Sequence, residues 1–340
     1  MEYIMDWTQG FTSSFYGCYV DPSSWLDAER FEIISGSIDR TNESLRESAS
    51  VALTSYEQGT EKWIRIYLDT RQDSNGAHIP LFTGLAVTPD RDIDGMRTSY
   101  TLDCYSVLKP AQDVLLQRGW YAPVETSAGA IINRLLSGFA PVIIEPDSPT
   151  LTQAIVAEDG ETNLSMTDKI LAAINWRLRI EGDGRIHVEP KPLEPSAVFD
   201  ALSSDVIEPA VKYTHDWFNC PNCFRAVSDD LIGIAKDDSV SSPLSTVNRG
   251  REVWAEEDGC ELSSDESIAQ YAYRRLKELQ SVGVTVSYSR RFDPNVYVGD
   301  KVVLHYPAQG LEGTFTVTSQ SVELEYGARV TEEVENEPDD

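Results

Sequence analysis

Thr314–Tyr326, TFTVTSQSVELEY, is the stretch whose reading decides the fold. Phe315 and Val317 set an apolar side chain at every second residue, and the alternation resumes one step out of phase at Val322, Leu324 and Tyr326. Alternation marks a strand with one buried face, and a slip of one residue predicts a β-bulge, which curves a sheet. Gly327-Ala328 is turn-like and leads into Arg329–Val334; upstream, Val296–Val298 and Lys301–Tyr306 are predicted strands flanking Gly299-Asp300. A helix is signalled just before them. Ser263 and Glu266 have capping-box spacing, Ile268, Ala272, Leu276 and Leu279 share a face with Tyr271 beside them, and Gly283 closes the segment. The predicted unit is a helix laid on a curved antiparallel sheet, used twice.

Working outward, the N-terminal third carries β signals at Phe31–Ile38, Ser50–Tyr56, Lys62–Asp69, Ile79–Thr88 and Thr98–Tyr105. Trp63, Ile64, Ile66, Tyr67 and Leu68 make both faces of one strand apolar, which predicts a central position in a sandwich or barrel. Gln72–His78 is predicted as a polar loop and Asp90–Gly95 as a hairpin tip. From Val107 the pattern turns mixed. Helices are predicted at Pro110–Gln117, ended by Gly119, at Thr126–Leu136 with Thr126 as N-cap, and from Ser165, where Asp168 completes a cap signature. Arg177–Ile180 and Arg185–Glu189 form a hairpin across Glu181-Gly182-Asp183-Gly184. Lys191–Pro195 (KPLEP) is a stiff boundary. Beyond it, Val206–Tyr213 and Asn219–Ser228 are predicted strands, Asp237–Val247 is a Ser-rich loop, and Glu332–Asp340 is an acidic, disordered tail. The expected chain is mainly β with an α+β insert: a β-barrel or sandwich domain at 1–108, a small α+β domain at 109–195, a second β domain at 196–331 with a helix at 265–280, and the tail at 332–340.

Composition narrows the function. The 340 residues are too many for one ordinary core, and 41% hydrophobic content suffices to fill two or three. Met1–Gly10 contains Glu2 and Asp6 where a secretory signal needs basic residues and an apolar run, and no eighteen apolar residues run together, so a chain made in the cytosol, without membrane insertion, is expected. Acidic residues outnumber basic ones 56 to 28, a net charge of −28, with only 8 Lys among the bases. Such a surface disfavours binding to a duplex or an anionic membrane. Two physical readings stay open together: a surface that lets a polyanion pass without sticking, and solubility in a saline cytoplasm.

Five cysteines, an odd and scattered set, argue against a disulfide framework. Cys220-Pro-Asn-Cys223 is the one motif with a sharp chemical reading, since cysteines at this spacing share a metal or form a redox pair. A zinc site would need His215 and Cys260 as its other ligands. No second CxxC is present and the surroundings are β rather than a strand-to-helix turn, so two small buried side chains around a Pro-Asn turn are the plainer reading. The four histidines are scattered, His187 and His305 alternate with apolar strand residues, and HExxH, GxSxG, Walker A and GxGxxG motifs are all missing from the sequence. No catalytic, cofactor-binding or metal-binding residue is assigned and no cofactor is expected; the competing class is a metal-dependent hydrolase or redox protein built on Cys220 and Cys223.

Three stretches together resemble the hub proteins of tailed-virus tail tips and baseplates, the superfamily of contractile-tail hubs and of the hub portion of type VI secretion spikes. They are Thr167–Pro190 (TDKILAAINWRLRIEGDGRIHVEP), similar to that family's helix followed by a hairpin; Ser263–Leu276 (SSDESIAQYAYRRL), similar to a helix preceding the closing strands; and Val296–Glu335, with Val298-Gly299-Asp300-Lys301-Val302. Tyr213–Val227, with Asp216-Trp217 and Pro221-Asn222, looks like the strand that re-enters the tube-like part. The likeness is collinear over roughly residues 25–335. It implies two tail-tube-like β domains around an α+β insert and a homotrimer whose six β units adapt a six-fold tail tube to a three-fold tip. It also implies a tail tube or distal tail protein above, a spike, fibre or tip protein below, a genome channel in which DNA passes without specific binding, and residence in the virion tail. In this likeness Cys220 and Cys223 fall at ordinary apolar positions. No hydrolase segment follows before Asp340, so a non-enzymatic role is expected.

Overall fold

Strand pairing in the computed structural model begins earlier than the sequence signals do. The structure describes residues 5–56, 61–201, 206–214, 217–228, 231–258, 267–280 and 285–336. The chain divides into two compact units, one of residues 1–211 with 287–334 and one of residues 212–286 with 335–340.

The chain opens with β1 (Thr12–Val20), β2 (Asp27–Glu32), β3 (Ser35–Thr41), β4 (Glu47–Leu53), β5 (Lys62–Gln72), β6 (Asn75–Ala86), β7 (Asp90–Asp94) and β8 (Arg97–Ser106). Ile64, Ile66 and Leu68 of β5 point into a core shared with Ile38, Val51, Phe82 and Leu102, and β5 is flanked on both sides, by β1 and β6, as its apolar composition predicts. β1 escaped sequence reading because it starts on three polar residues. The predicted loop Gln72–His78 is instead the end of a β-ladder: Gln72 pairs with Asn75 across a tight turn in which Asp73 adopts a left-handed φ of 54°. Likewise Asp90–Asp94 is a strand, paired with β8, and only Gly95 (φ +59°) and Met96 make the tip.

Next come α1 (Lys109–Asp113), β9 (Tyr121–Ala122), α2 (Ala128–Leu136), β10 (Val142–Ile144), β11 (Ile155–Val156), α3 (Asn163–Ile174), β12 (Trp176–Ile180) and β13 (Ile186–Pro190). This segment has its own core, in which Ile131, Ile132 and Leu136 of α2 and Ile170 and Leu171 of α3 meet Ile186 and Val188. Caps differ from prediction by one to three residues. Ser127, not Thr126, caps α2, and α3 opens with a reciprocal box between Thr162 and Ser165, so Ser165 sits inside the helix rather than at its start. α1 stops at Asp113, four residues short of Gln117.

β14 (Pro195–Asp200) and β15 (Ile207–Thr214) precede β16 (Cys223–Ser228), β17 (Leu231–Lys236), α4 (Thr246–Arg249), β18 (Trp254–Asp258) and α5 (Ile268–Gln280); β19 (Thr285–Arg290), β20 (Lys301–Tyr306), β21 (Leu311–Glu323) and β22 (Val330–Asn336) complete the fold. The predicted helix is α5; its proposed capping residues Ser263 and Glu266, and Gly283, lie outside the described residues. In the second unit, α5 covers one face of the sheet β17-β16-β18, burying Tyr271, Ala272 and Leu276 against Phe224, Ala226 and Ala235. Val296–Val298 is not a strand: the Asp300 carboxylate accepts from the Tyr297 N–H at 2.9 Å and folds the segment into a turn. Glu332–Asn336, expected in a disordered tail, is the second half of β22, with Glu332 and Val334 fully buried.

The large sheet runs β15-β19-β22-β21-β3-β4-β8-β6-β5-β1-β2, with β14 on β20, β20 also on β21, and β7 on β8. The N-terminal and C-terminal strand groups are thus joined edge to edge where Ser37–Thr41 pairs antiparallel with Ser319–Glu323. The fold is mainly β with α+β elements: of the described residues 49% are strand and 15% helix, and none of the sheets they form closes into a barrel. Within residues 314–323 of β21 the buried positions are Phe315 and Val317, then Gln320 and Val322, so the predicted change of phase is present, whereas Tyr326 is exposed.

Candidate functional site

Cys223 is the first residue of β16, and Cys220 lies three residues before it. Both are buried thiols; Cys220 Sγ donates to Leu279 O at 3.3 Å, and burial, helped by Glu252, pushes the Cys223 thiol above its ordinary pKa, which disfavours the thiolate that metal binding and redox exchange need. Between them, Asn222 is fully buried and spends its amide on the carbonyls of Leu244 and Arg251, both at 3.0 Å. The other proposed zinc ligands, His215 and Cys260, lie outside the described residues. No group of three or more His, Cys, Asp or Glu among the described residues could hold a metal ion, and no described helix is long and apolar enough to cross a membrane. His305 faces Glu312 at 3.3 Å, on the surface.

What the first unit does concentrate is buried charge, in a continuous joint where three parts of the chain meet. The α+β segment reaches the N-terminal strands through its hairpin turn. Gly182 lies so close to β6 that a Cβ there would stand 1.9 Å from Pro80 O, which is why only glycine fits. Thr83 Oγ1 donates to Gly182 O at 2.7 Å and Arg65 Nη2 to Asp183 O at 2.9 Å. Arg65 is held in turn by Asp27 at 2.7 Å, and Asp27 also accepts from the Tyr67 hydroxyl at 2.5 Å; burial and this bond push the Tyr67 phenol up to about 12. Trp25 and Trp63 meet edge to face beside the turn, and both pack on the α+β core.

From the hairpin the charges continue toward the C-terminal strands. Arg177 and Arg179 converge on Glu189, at 2.6 and 3.1 Å, and overcome the upward push of burial to hold its carboxyl below the usual range. Arg177 also pairs with Asp300 at 2.7 Å, anchoring the turn before β20. Arg179 and Arg40 lie 4.9 and 5.7 Å from the Tyr297 ring centroid. Arg40 donates to Leu81 O and to Gln320 Oε1, and Gln320 donates to Val296 O and to Glu332 Oε1 at 2.6 Å. Glu332 ends the chain of contacts: it accepts from Arg290 Nε at 2.7 Å and Nη2 at 2.5 Å and from the Tyr288 hydroxyl at 2.9 Å. Burial and the Glu332 charge raise the Tyr288 phenol well above its ordinary value.

Side chains from the N-terminal strands, the β12–β13 hairpin and the C-terminal strands all enter this joint, so it fixes their relative placement. Gln320 sits at the point where β21 changes phase, which converts a packing irregularity into a buried hydrogen-bonding position. None of these residues was singled out by the sequence as a site. The readable signal was phase: Glu332 alternates with Val330 and Val334, and Arg290 with Val286 and Tyr288, so both charges fall on inward-facing positions.

The architecture is similar to that of solved phage tail proteins. The tail protein from Neisseria meningitidis MC58 is similar over 97% of this chain and 97% of its own, with a TM-score of 0.67 at 15% identity. The 43 kDa tail protein of prophage MuSo2 from Shewanella oneidensis is similar over 96% and 97%, with a TM-score of 0.64 at 12% identity. A chain of the PdpA–VgrG complex from Francisella is similar over 96% of this chain and 53% of its own, with a TM-score of 0.57 at 8% identity. No family model matches the sequence, and no curated protein does.

Proposed function

We propose that the protein is a structural hub of a phage-like tail tip, a homotrimeric ring that joins the tail tube above to a spike, fibre or tip protein below. The observation that carries this reading is the end-to-end likeness to two tail proteins, each covered over 97% of its own length. In this reading the β regions 1–108 and 196–331 are two tube-like halves, fused where β3 pairs with β21, and 109–195 is the α+β insert. Three copies then present six such halves to a six-fold tube.

Rigid connection between the halves is what a hub needs, and the buried charged joint supports it: a guanidinium or carboxylate taken out of water holds its geometry only with its partners in place. A net charge of −28 per chain fits a ring around a genome channel, because each basic contact to a phosphate would slow passage by releasing counterions. The role is non-enzymatic, and the protein resides in the virion tail. Mass measurement on the assembled tail tip tests the proposal, with three copies expected. A monomeric or dimeric component, or a channel wall dominated by unpaired Lys and Arg in an imaged assembly, would overturn it.

A further inference from the structure

Behind Tyr297 lies a cavity of about 30 Å³, lined by Arg40, Arg46, Glu47, Leu178, Arg179 and Val298 among others. That is room for one or two waters or one small ion, since a single water needs about 10–15 Å³ on this measure. Arg40 Nε and Glu47 Oε1 are buried there and have no hydrogen-bond partner among the described residues. The Arg40 and Glu47 side chains are 9% and 2% exposed, and the nearest approach between their charged groups, Nε to Oε2, is 3.7 Å, too long for a hydrogen bond.

The surrounding charges leave a local excess of cation. Arg46 is neutralised by Asp168 at 2.6 Å, and Arg179 by Glu189 at 3.1 Å with Glu181 nearby. Glu332 is committed to Arg290, and Tyr297 contributes only its ring to Arg40. Arg40 itself donates to two neutral acceptors, Leu81 O and Gln320 Oε1. A buried guanidinium without an ionised partner in hydrogen-bond reach is costly unless something negative sits beside it.

We propose that this cavity binds a single chloride-sized monovalent anion, held between the Arg40 guanidinium and a protonated Glu47. The anion accepts from Arg40 Nε–H and from the Glu47 O–H, supplying both unpartnered atoms at once and neutralising Arg40. Burial pushes the Glu47 carboxyl up to about 8, against the downward pull of Arg40, so the proton it must donate is present at neutral pH. Proton and anion are therefore taken up together, and deprotonation of Glu47, which puts a second negative charge in the cavity, expels the anion. The site links β3, β4, β12 and the turn at Tyr297.

Thermal melting of the full chain at fixed ionic strength, in sodium chloride against sodium gluconate, reads the effect, gluconate being too large for the cavity. At pH 6.5 the Tm in chloride should exceed that in gluconate by about 2–4 °C, the shift that roughly a tenfold occupancy ratio produces in a domain of this size. The difference should vanish at pH 9.5, and Glu47→Gln, which keeps a neutral donor at every pH, should retain it at both. Bromide should replace chloride and give an anomalous-scattering peak in hydrogen-bond reach of Arg40 Nε in crystals of the wild type, a readout independent of whether the variant folds. Equal melting in the two salts at both pH values, or bromide crystals whose cavity holds water only, would overturn the proposal.

Discussion

Arg290–Glu332 and Arg225–Glu256 are the same chemical pair, a guanidinium and a carboxylate on adjacent strands, in opposite surroundings. The first lies between β19 and β22 with side chains 1% and 0% exposed; the second lies between β16 and β18 on the face of the small sheet away from α5, with side chains 47% and 48% exposed. Desolvation makes the difference. The buried pair has given up water on both sides and is compensated by each other, Tyr288, Gln320 and the Arg291 carbonyl, whereas the exposed pair exchanges one good partner for another. A strand ladder can therefore carry the same ion pair as an obligatory structural link or as surface decoration, and its contact distance does not tell the two apart.

Glu332→Ala gives the sharpest break in that comparison. It leaves Arg290, Tyr288 and Gln320 buried around a missing acceptor, and a loss of about 3–5 kcal/mol in folding free energy is expected from denaturant titration. Glu256→Ala, at the exposed pair, should cost no more than about 1 kcal/mol and less in high salt. If the two variants lost equal stability, burial would not be what separates the pairs.

Glu47 sharpens the comparison through pH. Its folded pKa of about 8 lies above the 4.5 of an unperturbed glutamate, so the fold favours the neutral acid. The stabilisation is fully present below about pH 4.5 and is lost as pH rises through 8, to an extent on the order of a few kcal/mol for a shift of this size in a fully buried group. Stability measured from pH 5 to 9.5 should fall in the wild type relative to Glu47→Gln. Parallel curves for the two proteins would remove Glu47 from the account.

Gly182→Ala tests the neutral part of the joint. The added methyl meets Pro80 O, and pushing the hairpin off β6 should cost about 1–3 kcal/mol, as other overpacked sites do. Unchanged melting would mean that the turn does not need so close an approach. Cys220→Ala and Cys223→Ala are each expected to cost on the order of 1–2 kcal/mol, as simple losses of buried volume. Loss of folding that zinc rescues in the wild type would reinstate the metal reading.

Much of the fold was legible because period and punctuation are local. Ile64, Ile66 and Leu68 alternate inward, Glu181-Gly182-Asp183-Gly184 turns a hairpin, and the apolar stripe of α5 faces a sheet, each as its spacing requires. Errors came where a polar segment takes its structure from a partner rather than from its own residues. Asp90–Asp94 is a strand because β8 supplies its hydrogen bonds, and Glu332–Asn336 is ordered because Arg290 neutralises its carboxylate from 42 residues away. Thr12–Val20 was missed for the same reason: β5 and β2 make it a strand, not its own composition.

By itself the sequence determined the alternation of strand and helix signals, the change of phase in β21, the hairpin turns and the acidic balance, since these depend on neighbouring residues and on composition alone. Only the tertiary structure decided that two β regions share one open sheet and that Arg40, Glu47, Gln320, Arg290 and Glu332 meet in a buried joint. Which charge neutralises which, as Asp168 does Arg46 across 122 residues, is set by strand order and register. Those follow from the packing of the whole sheet and leave no mark on the local pattern of any one strand.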